Sequence, residues 1–469
     1  MKCPRVVGLL TIVAALGIPI SLRAQAFGLN EIGSCAIARG FATTASPCRD
    51  ASTIYWNAAA ATSLPGWNVS LGAAVIALKG SFRQDTTHAL FNADAPTKTI
   101  PNFFINYHSP SSKAAYGIGV YVPYGLTSQW SPDFPGRFEA QKASLATVYV
   151  QPNFAWQIND KWSIGGGPVW GHSTVELIQA LDLSTQATAP GGPTFAQIGI
   201  AGGTQFGLAR LKGSANGFGA QIAISGHPAQ NFMVGARFLT PVTFKYDNAD
   251  ATFTETQTGL VLGAGLPTAG GVIPAGTPID ALVAPEFATG GPLVAQKVST
   301  SITHPAQLQA GASYAGFANW LLEADYSWVG WKRFNVLPVQ FQGPAANVAS
   351  RNLIEDYNNS SAIRLGAEYT IPTDGWKLRA GLAGAASAAP PETVTPLLPE
   401  EDRAYFTVGA GIPFMHRYAL DASYARVWTP GARGRIAERT SETQTAADLN
   451  TGVYTLSANI FAFTLRASF

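Results

Sequence analysis

The chain has 469 residues, only 12% of them charged, and a formal net charge of +2. A soluble chain of this length would fold as two or three domains with roughly 25% charged residues. That net charge says nothing about acidic partners, and no basic cluster points to nucleic acid.

At the N-terminus, Lys2 and Arg5 precede an apolar run from Val6 to Ile20, and Ala24-Gln25-Ala26 supplies a small-x-small cleavage pattern. These are the parts of a secretory signal peptide over residues 1–26, and the run is too short for a bilayer-spanning helix. Cys3 lies too early to be a lipoprotein acylation site. The mature chain is expected to start near Phe27, with cleavage after Ala24 as the alternative.

Residues 27–66 are rich in Ala, Ser and Thr and lack sustained alternation. They read as a plug folded into a lumen, against the alternative of a loose tail. Cys35 and Cys48 are the two cysteines left after export. In an oxidising compartment such a pair favours a disulfide, with two buried thiols as the other option.

Residues 67–469 carry the alternation of a membrane barrel. Strands are expected near 68–78, 101–108, 115–123, 143–156, 162–170, 217–225 and 231–246, then 304–315, 319–329, 361–370, 376–385, 404–412, 417–428 and 453–469. In the ninth, Trp320, Leu322, Ala324, Tyr326 and Trp328 share one face while Glu323, Asp325 and Ser327 share the other. In the last, Phe461, Phe463, Leu465, Ala467 and Phe469 alternate with small or polar residues. Trp156, Trp162, Trp320, Trp328 and Trp428 at strand ends suit interfacial girdles. The segment Gly259–Pro278 is uncharged, but its six glycines and three prolines make it a loop rather than a membrane helix. Connections alternate between short and long, as periplasmic turns and external loops do in outer-membrane barrels. About fourteen antiparallel strands follow, an even count that leaves both ends in the periplasm. Phe469 is the terminal aromatic typical of such barrels, which the barrel-insertion machinery reads.

The segments Phe27-Gly28-Leu29-Asn30-Glu31 and Asp50-Ala51-Ser52-Thr53-Ile54-Tyr55-Trp56-Asn57-Ala58-Ala59 resemble the N-terminal hatch of the FadL/TodX family of outer-membrane transport proteins. Pro123-Tyr124-Gly125-Leu126, Trp130…Gly136-Arg137, Trp331, and Pro399-Glu400-Glu401-Asp402-Arg403 extend the resemblance over the whole mature chain. It implies a hatch that gates a lumen, capture of hydrophobic compounds outside, and lateral release into outer-membrane lipid at a kinked strand. It also implies long-chain fatty acids as cargo, or aromatic hydrocarbons in the TodX branch. The family has Asn-Pro-Ala where this chain has Asn57-Ala58-Ala59, so the hatch backbone and its gating are expected to differ here.

Pro123 and Gly125, placed at the end of the third strand, read as a broken ladder suited to a lateral opening, or simply as a turn. Val175, Leu177 and Ile178 in the third long loop, and Leu260, Val261, Leu262, Leu266, Val272, Ile273, Ile279, Leu282 and Val283 in the fourth, read as a greasy capture groove or as a loop cap. Arg237, Arg364, Arg379 and Arg466 face the lumen by strand phase and are candidates for a ligand carboxylate, although an ordinary charge lattice fits them too. His88, His108, His172, His227, His304 and His416 are scattered, and no hydrolase, redox, cofactor or energy-coupling motif is present. A lipase or an open polar porin remains as the lesser alternative; transport is expected to be passive.

Overall fold

In a membrane every backbone N–H and C=O must be paired, and a closed sheet pairs them without leaving an edge. The computed structural model describes residues 26–189, 191–268, 270–344, 350–435 and 450–469. The expected signal peptide, apart from Ala26, lies outside them. The wall is a closed antiparallel barrel of 14 strands. The first six are Gly66–Gln84, Lys98–His108, Ala114–Gln129, Lys142–Asn159, Trp162–Leu181 and Gly207–Ala229. The seventh comes in two pieces, Phe232–Leu239 and Val242–Glu255, and so does the eighth, Gln296–His304 and Gln307–Tyr314. Trp320–Val329, Ser360–Thr370, Lys377–Ala385, Arg403–Phe414, Tyr418–Trp428 and Gly452–Ser468 follow. First and last strands close the barrel in a continuous register from Asn68↔Ser468 to Gln84↔Gly452.

Alternation decides which side chain meets lipid. Trp320, Leu322 and Tyr326 are exposed on the outside, while Glu323, Asp325 and Ser327 are buried within. Trp67, Tyr107, Trp156, Trp320, Trp376 and Phe414 are exposed at the end carrying the short turns; Trp170, Phe218 and Trp428 are exposed towards the other. These are the two interfacial girdles.

Several strands run past their expected outer ends. The fifth reaches Leu181, so Val175, Leu177 and Ile178 belong to the wall and not to a loop. Their stretch is held by Glu176, which pairs with Lys142 on the fourth strand at 2.5 Å and Arg210 on the sixth at 2.6 Å. Beyond the bilayer both faces of a strand are wet, so the period-two signal fades although the ladder continues.

Residues 26–65 lie inside the barrel. They form two short helices, Ser34–Ala38 and Thr53–Trp56, and a 3-10 turn, Ala58–Ser63. Ile32, Ile37, Ile54, Tyr55 and Trp56 are fully buried. Cys35 and Cys48 are joined, with Cα atoms 6.2 Å apart.

Candidate functional site

The plug hangs on polar contacts to the wall. Asp325 Oδ2 accepts from the backbone N–H of Thr43 and Thr44 at 2.8 and 2.9 Å. Glu323 Oε1 accepts from Ala45 and Ser46 at 2.7 and 3.1 Å, and Glu323 also pairs with Arg39. Two neighbouring carboxylates of the ninth strand thus bind four successive plug amides. Three strands away, Asn57 donates to Thr44 O and to Ile224 O of the sixth strand, and its Oδ1 caps Ala59 N–H. Ala58 holds the first position of the 3-10 turn, where an N–H has no intrahelical acceptor in any case. Losing the family proline therefore removes no hydrogen-bonding constraint there, and the turn forms with alanine.

The wall is incomplete between the second and third strands. Their ladder stops at Phe103↔Val120, while Lys98–Asn102 keeps its pairing with the first strand. On its other side the third strand continues to pair with the fourth, with a bulge between Tyr121 and Tyr124. Pro123 and Gly125 thus sit within a strand, not at its end as the sequence suggested. Contact across the gap resumes where Asp94 N–H donates to Gln129 O at 2.8 Å. The result is a window with a closed sill and a closed lintel.

The start of the plug fills it. Leu29 N–H donates to Pro123 O at 2.8 Å and Gly125 N–H to Phe27 O at 2.9 Å, so Gly28 bridges Tyr124 as a short antiparallel strand. A Cβ on Gly125 would stand 2.8 Å from Leu29 Cδ1, so any side chain there displaces the end of Leu29. Ser128 Oγ, further along, donates to Pro396 O of the loop before the twelfth strand.

Behind the window lies an aromatic cluster. Phe27 meets Trp331, Phe334, His304 and Tyr124 at centroid distances of 4.6, 5.3, 5.8 and 6.1 Å. His304 lies 4.1 Å from Tyr124 and 4.7 Å from Phe244, and its Nδ1 shares a hydrogen bond with Tyr149. Tyr124 donates to Pro305 O and accepts from Gln307. Sequence reasoning had not assigned His304, Phe244, Tyr149 or Phe334 to the site; the available signal was the pair of prolines, Pro241 and Pro305, breaking adjacent strands.

Charge surrounds the remaining plug residues. Asn30 Oδ1 accepts from Arg364 at 3.0 Å, and Glu31 accepts from Asn30 N–H. Burial raises the Glu31 carboxyl above its ordinary range, opposed by Arg403 and Arg364. Glu400 accepts from Ala26 N–H, and burial raises it as well.

The four candidate arginines separate clearly. Arg379 binds Glu368 and Asp421, and Arg466 binds Asp421, so both belong to the charge lattice. Arg364 reaches Asn30 and Phe41 O. Arg237 is held by Gln307 and Gln309 and lies 4.3 Å over the Tyr55 ring. It is 1% exposed, its Nη1 has no hydrogen-bond partner, and it has no carboxylate partner among the described residues.

Above the barrel, the third and fourth long loops share one apolar core. Phe195, Ile200 and Phe206 pack on Leu262, Leu266, Ile279 and Val283, with Leu282 and Ile273 alongside. Leu260, Val261 and Val272 stay exposed around it. Of the nine residues expected from the fourth loop, six are thus spent on loop–loop packing, and a lip of three apolar side chains is left.

The pattern of the outer membrane protein transport protein family (OMPP1/FadL/TodX) matches residues 17–469. The chain is 23% identical over 414 residues to a long-chain fatty acid transport protein of Escherichia coli O6:H1, covering 85% of this chain and 86% of that one. A Pseudomonas aeruginosa FadL homologue superposes with a TM-score of 0.78 at 18% identity, over 95% of this chain and 100% of the other. The Pseudomonas putida toluene transporter TodX gives 0.66 at 15% identity, over 95% and 99%.

Proposed function

We propose that this chain, which belongs to the OMPP1/FadL/TodX family of outer-membrane transport proteins, is a passive channel that releases hydrophobic molecules sideways through the window between its second and third strands. One observation carries the reading: the third strand lacks a wall neighbour beyond Val120, and Phe27–Leu29 of the plug occupies the vacant place. An edge in a bilayer must be covered, and a cover made of two backbone hydrogen bonds costs little to exchange. Phe27, Gly28 and Leu29 are the moving part, Asn30 and Glu31 its polar root, and Asn57-Ala58-Ala59 the fixed end. Pro123, Tyr124 and Gly125 are the frame. An apolar ligand gains roughly 25 cal/mol for each Å² withdrawn from water, which drives capture without an energy source.

Long-chain fatty acids are the leading cargo. Arg237, buried in the lumen without a carboxylate, supports an acidic head group, since a buried charge is costly to leave unpaired. The aromatic cluster around Phe27 supports a second reading, in which aromatic hydrocarbons are carried.

The test is a bridge across the window. Continuing the register two residues beyond Phe103↔Val120 sets Pro101 opposite Val122, on the outward face. Cysteines there, joined by a short bis-maleimide, should reduce uptake of radiolabelled oleate at least fivefold in expressing cells. Undiminished uptake of both oleate and toluene would refute the window. Arg237→Gln should weaken oleate uptake and spare toluene, whereas equal loss of both would remove the carboxylate role. We also propose that Phe469, whose N–H donates to Trp67 O while its ring stays exposed, ends the signal read by the insertion machinery. Deleting it should lower assembly in the membrane without changing uptake per assembled barrel.

A further inference from the structure

A second interruption of the wall lies between the sixth and seventh strands. Below it the two are paired from Ala229↔Phe232 to Gln221↔Leu239, and above it from Lys212↔Asp250 to Gly207↔Glu255. Just above the lower stretch Thr240 N–H donates to Ala220 O and Ala220 N–H to Thr240 Oγ1, both at 2.9 Å, and past them the ladder is lost. Residues 213–219 of the sixth strand face 241–249 of the seventh, seven against nine, so the two chains cannot be in one register. Both strands remain laddered to their outer neighbours: the sixth through Gly171↔Gly217, the seventh through Val242↔His304 and Phe244↔Ile302. The defect is therefore a seam in a wall that is otherwise intact.

Proline and glycine account for it. Pro241 lies between the two pieces of the seventh strand and Pro305 between those of the eighth, next to each other in the wall. Neither can donate to a ladder. Past Pro241 the phase flips: Phe232 and Phe238 are exposed below it, while Thr243 and Lys245 are exposed above it, and Val242, Phe244 and Tyr246 turn inward. The facing sixth strand offers glycine at 213, 217 and 219. A Cβ on Gly217 would stand 2.7 Å from Val242 Cγ1 and 3.0 Å from Phe244 Cε1, and one on Gly219 would stand 2.7 Å from Val242 Cγ2. Above the Thr240–Ala220 hydrogen bonds that close its base, the seam is shut by two apolar side chains resting on a glycine track. Such a closure slides without breaking a ladder.

Its height and its inner end suggest what uses it. Phe238 and Phe218 are exposed at its base, and above them the outer face turns to Thr243, Lys245, Asp247 and Asn248. The seam thus begins at the outer edge of the lipid-facing band. Inside, Phe244 lies 4.7 Å from His304, which lies 4.1 Å from Tyr124 at the first window. One aromatic path joins the two defects.

Resting on the reading of the chain as a hydrophobic channel, we propose that this seam is an inlet, through which apolar molecules at the outer-leaflet edge pass Val242 and Phe244 into the aromatic cluster. Capture from water over the loops is then one of two ways in.

A bilayer-dissolved aryl diazirine tests this on the full protein in lipid vesicles, without need of a known substrate. Photolabelling should mark Phe244 as well as the lipid-facing Phe218 and Phe238. Cysteines at Asn216 and Lys245, both exposed and facing each other across the seam, leave labelling unchanged until a bis-maleimide joins them. The bridge should then cut Phe244 labelling at least fivefold and leave Phe27 and Leu29 unaffected. The Pro101–Val122 bridge should do the reverse. Phe244 left unlabelled beside labelled Phe218, or labelled equally with the seam bridged, overturns the inlet. Phe27 and Leu29 labelled equally with the Pro101–Val122 bridge in place, while Phe244 follows the seam bridge, overturns the window reading alone.

Discussion

Gly125 shows how one residue sets a contact between distant parts of the chain. Its bare Cα admits Leu29, and its N–H holds Phe27 O. Gly125→Phe should expel the first plug residues. Hydrogen exchange at the Leu29 amide should quicken several-fold, since a net backbone hydrogen bond is worth about 1 kcal/mol. Ala58 makes the converse case. Because it stands first in the 3-10 turn, Ala58→Pro should be accepted and should stabilise the turn by about 0.4–1 kcal/mol through the unfolded chain. Slower exchange at Ala60 and Leu64 with unchanged uptake would bear this out; a loosened plug would show that the backbone at 58 does not suit proline. Sequence alone marked both places, because glycine and a missing proline are visible as letters. It did not show that Phe27 would stand between Tyr124 and Trp331, since that contact joins residues far apart in the chain and carries no local period.

Elements were legible to the extent that lipid touched them. Where one face of a strand met the bilayer, as in Trp320–Val329, alternation gave its course and its inner face. Where both faces were wet, as beyond Val175, the strand was taken for a loop. The latch on that ninth strand follows the same logic: Glu323 and Asp325 were expected to face inward, but the plug amides they bind carry no sequence signature. Asp325→Asn keeps the shape and weakens the acceptor for two amides, and Glu323→Gln also leaves Arg39 without its carboxylate. Breaking a buried pair from one side costs about 3–5 kcal/mol, so Glu323→Gln should loosen the plug more. Single-channel conductance in planar bilayers should rise in that order, and equal, silent traces would show that the latch does not hold the plug. Loop closure near the twelfth strand should depend on pH. Burial lifts Glu401 to about 7, while its carboxylate accepts from Gly431 N–H. The folded loop holds the proton more tightly than the unfolded chain. That contribution is complete below about 4.5, fades as pH rises through about 7, and is absent above it. Proteolysis of this loop should therefore speed up between pH 5 and 8, and Glu401→Gln should flatten the profile.

The whole molecule is two structures of different kind, one inside the other. The wall is held by continuous ladders that have no edge to fray, apart from one window and one seam. The plug is held by carboxylates, a few amides and the Cys35–Cys48 bridge, which closes a loop with a sequence separation of 13. A loop of that size restricts the unfolded plug by about 3 kcal/mol, whereas the barrel owes it nothing. Reduction should accordingly separate the two. With dithiothreitol in mild urea, hydrogen exchange across residues 34–57 should quicken and conductance should rise. The shift in gel mobility on heating, which reports the closed barrel, should keep its midpoint. The Cys35→Ser/Cys48→Ser pair should behave in the same way without reductant, which separates loss of the bridge from any action of the thiol itself. A barrel that melts earlier on reduction would mean that plug and wall unfold as one cooperative body. Release through the window would then have to strain the wall as well as move the plug, and the easy exchange of two hydrogen bonds at Phe27–Leu29 would no longer account for it.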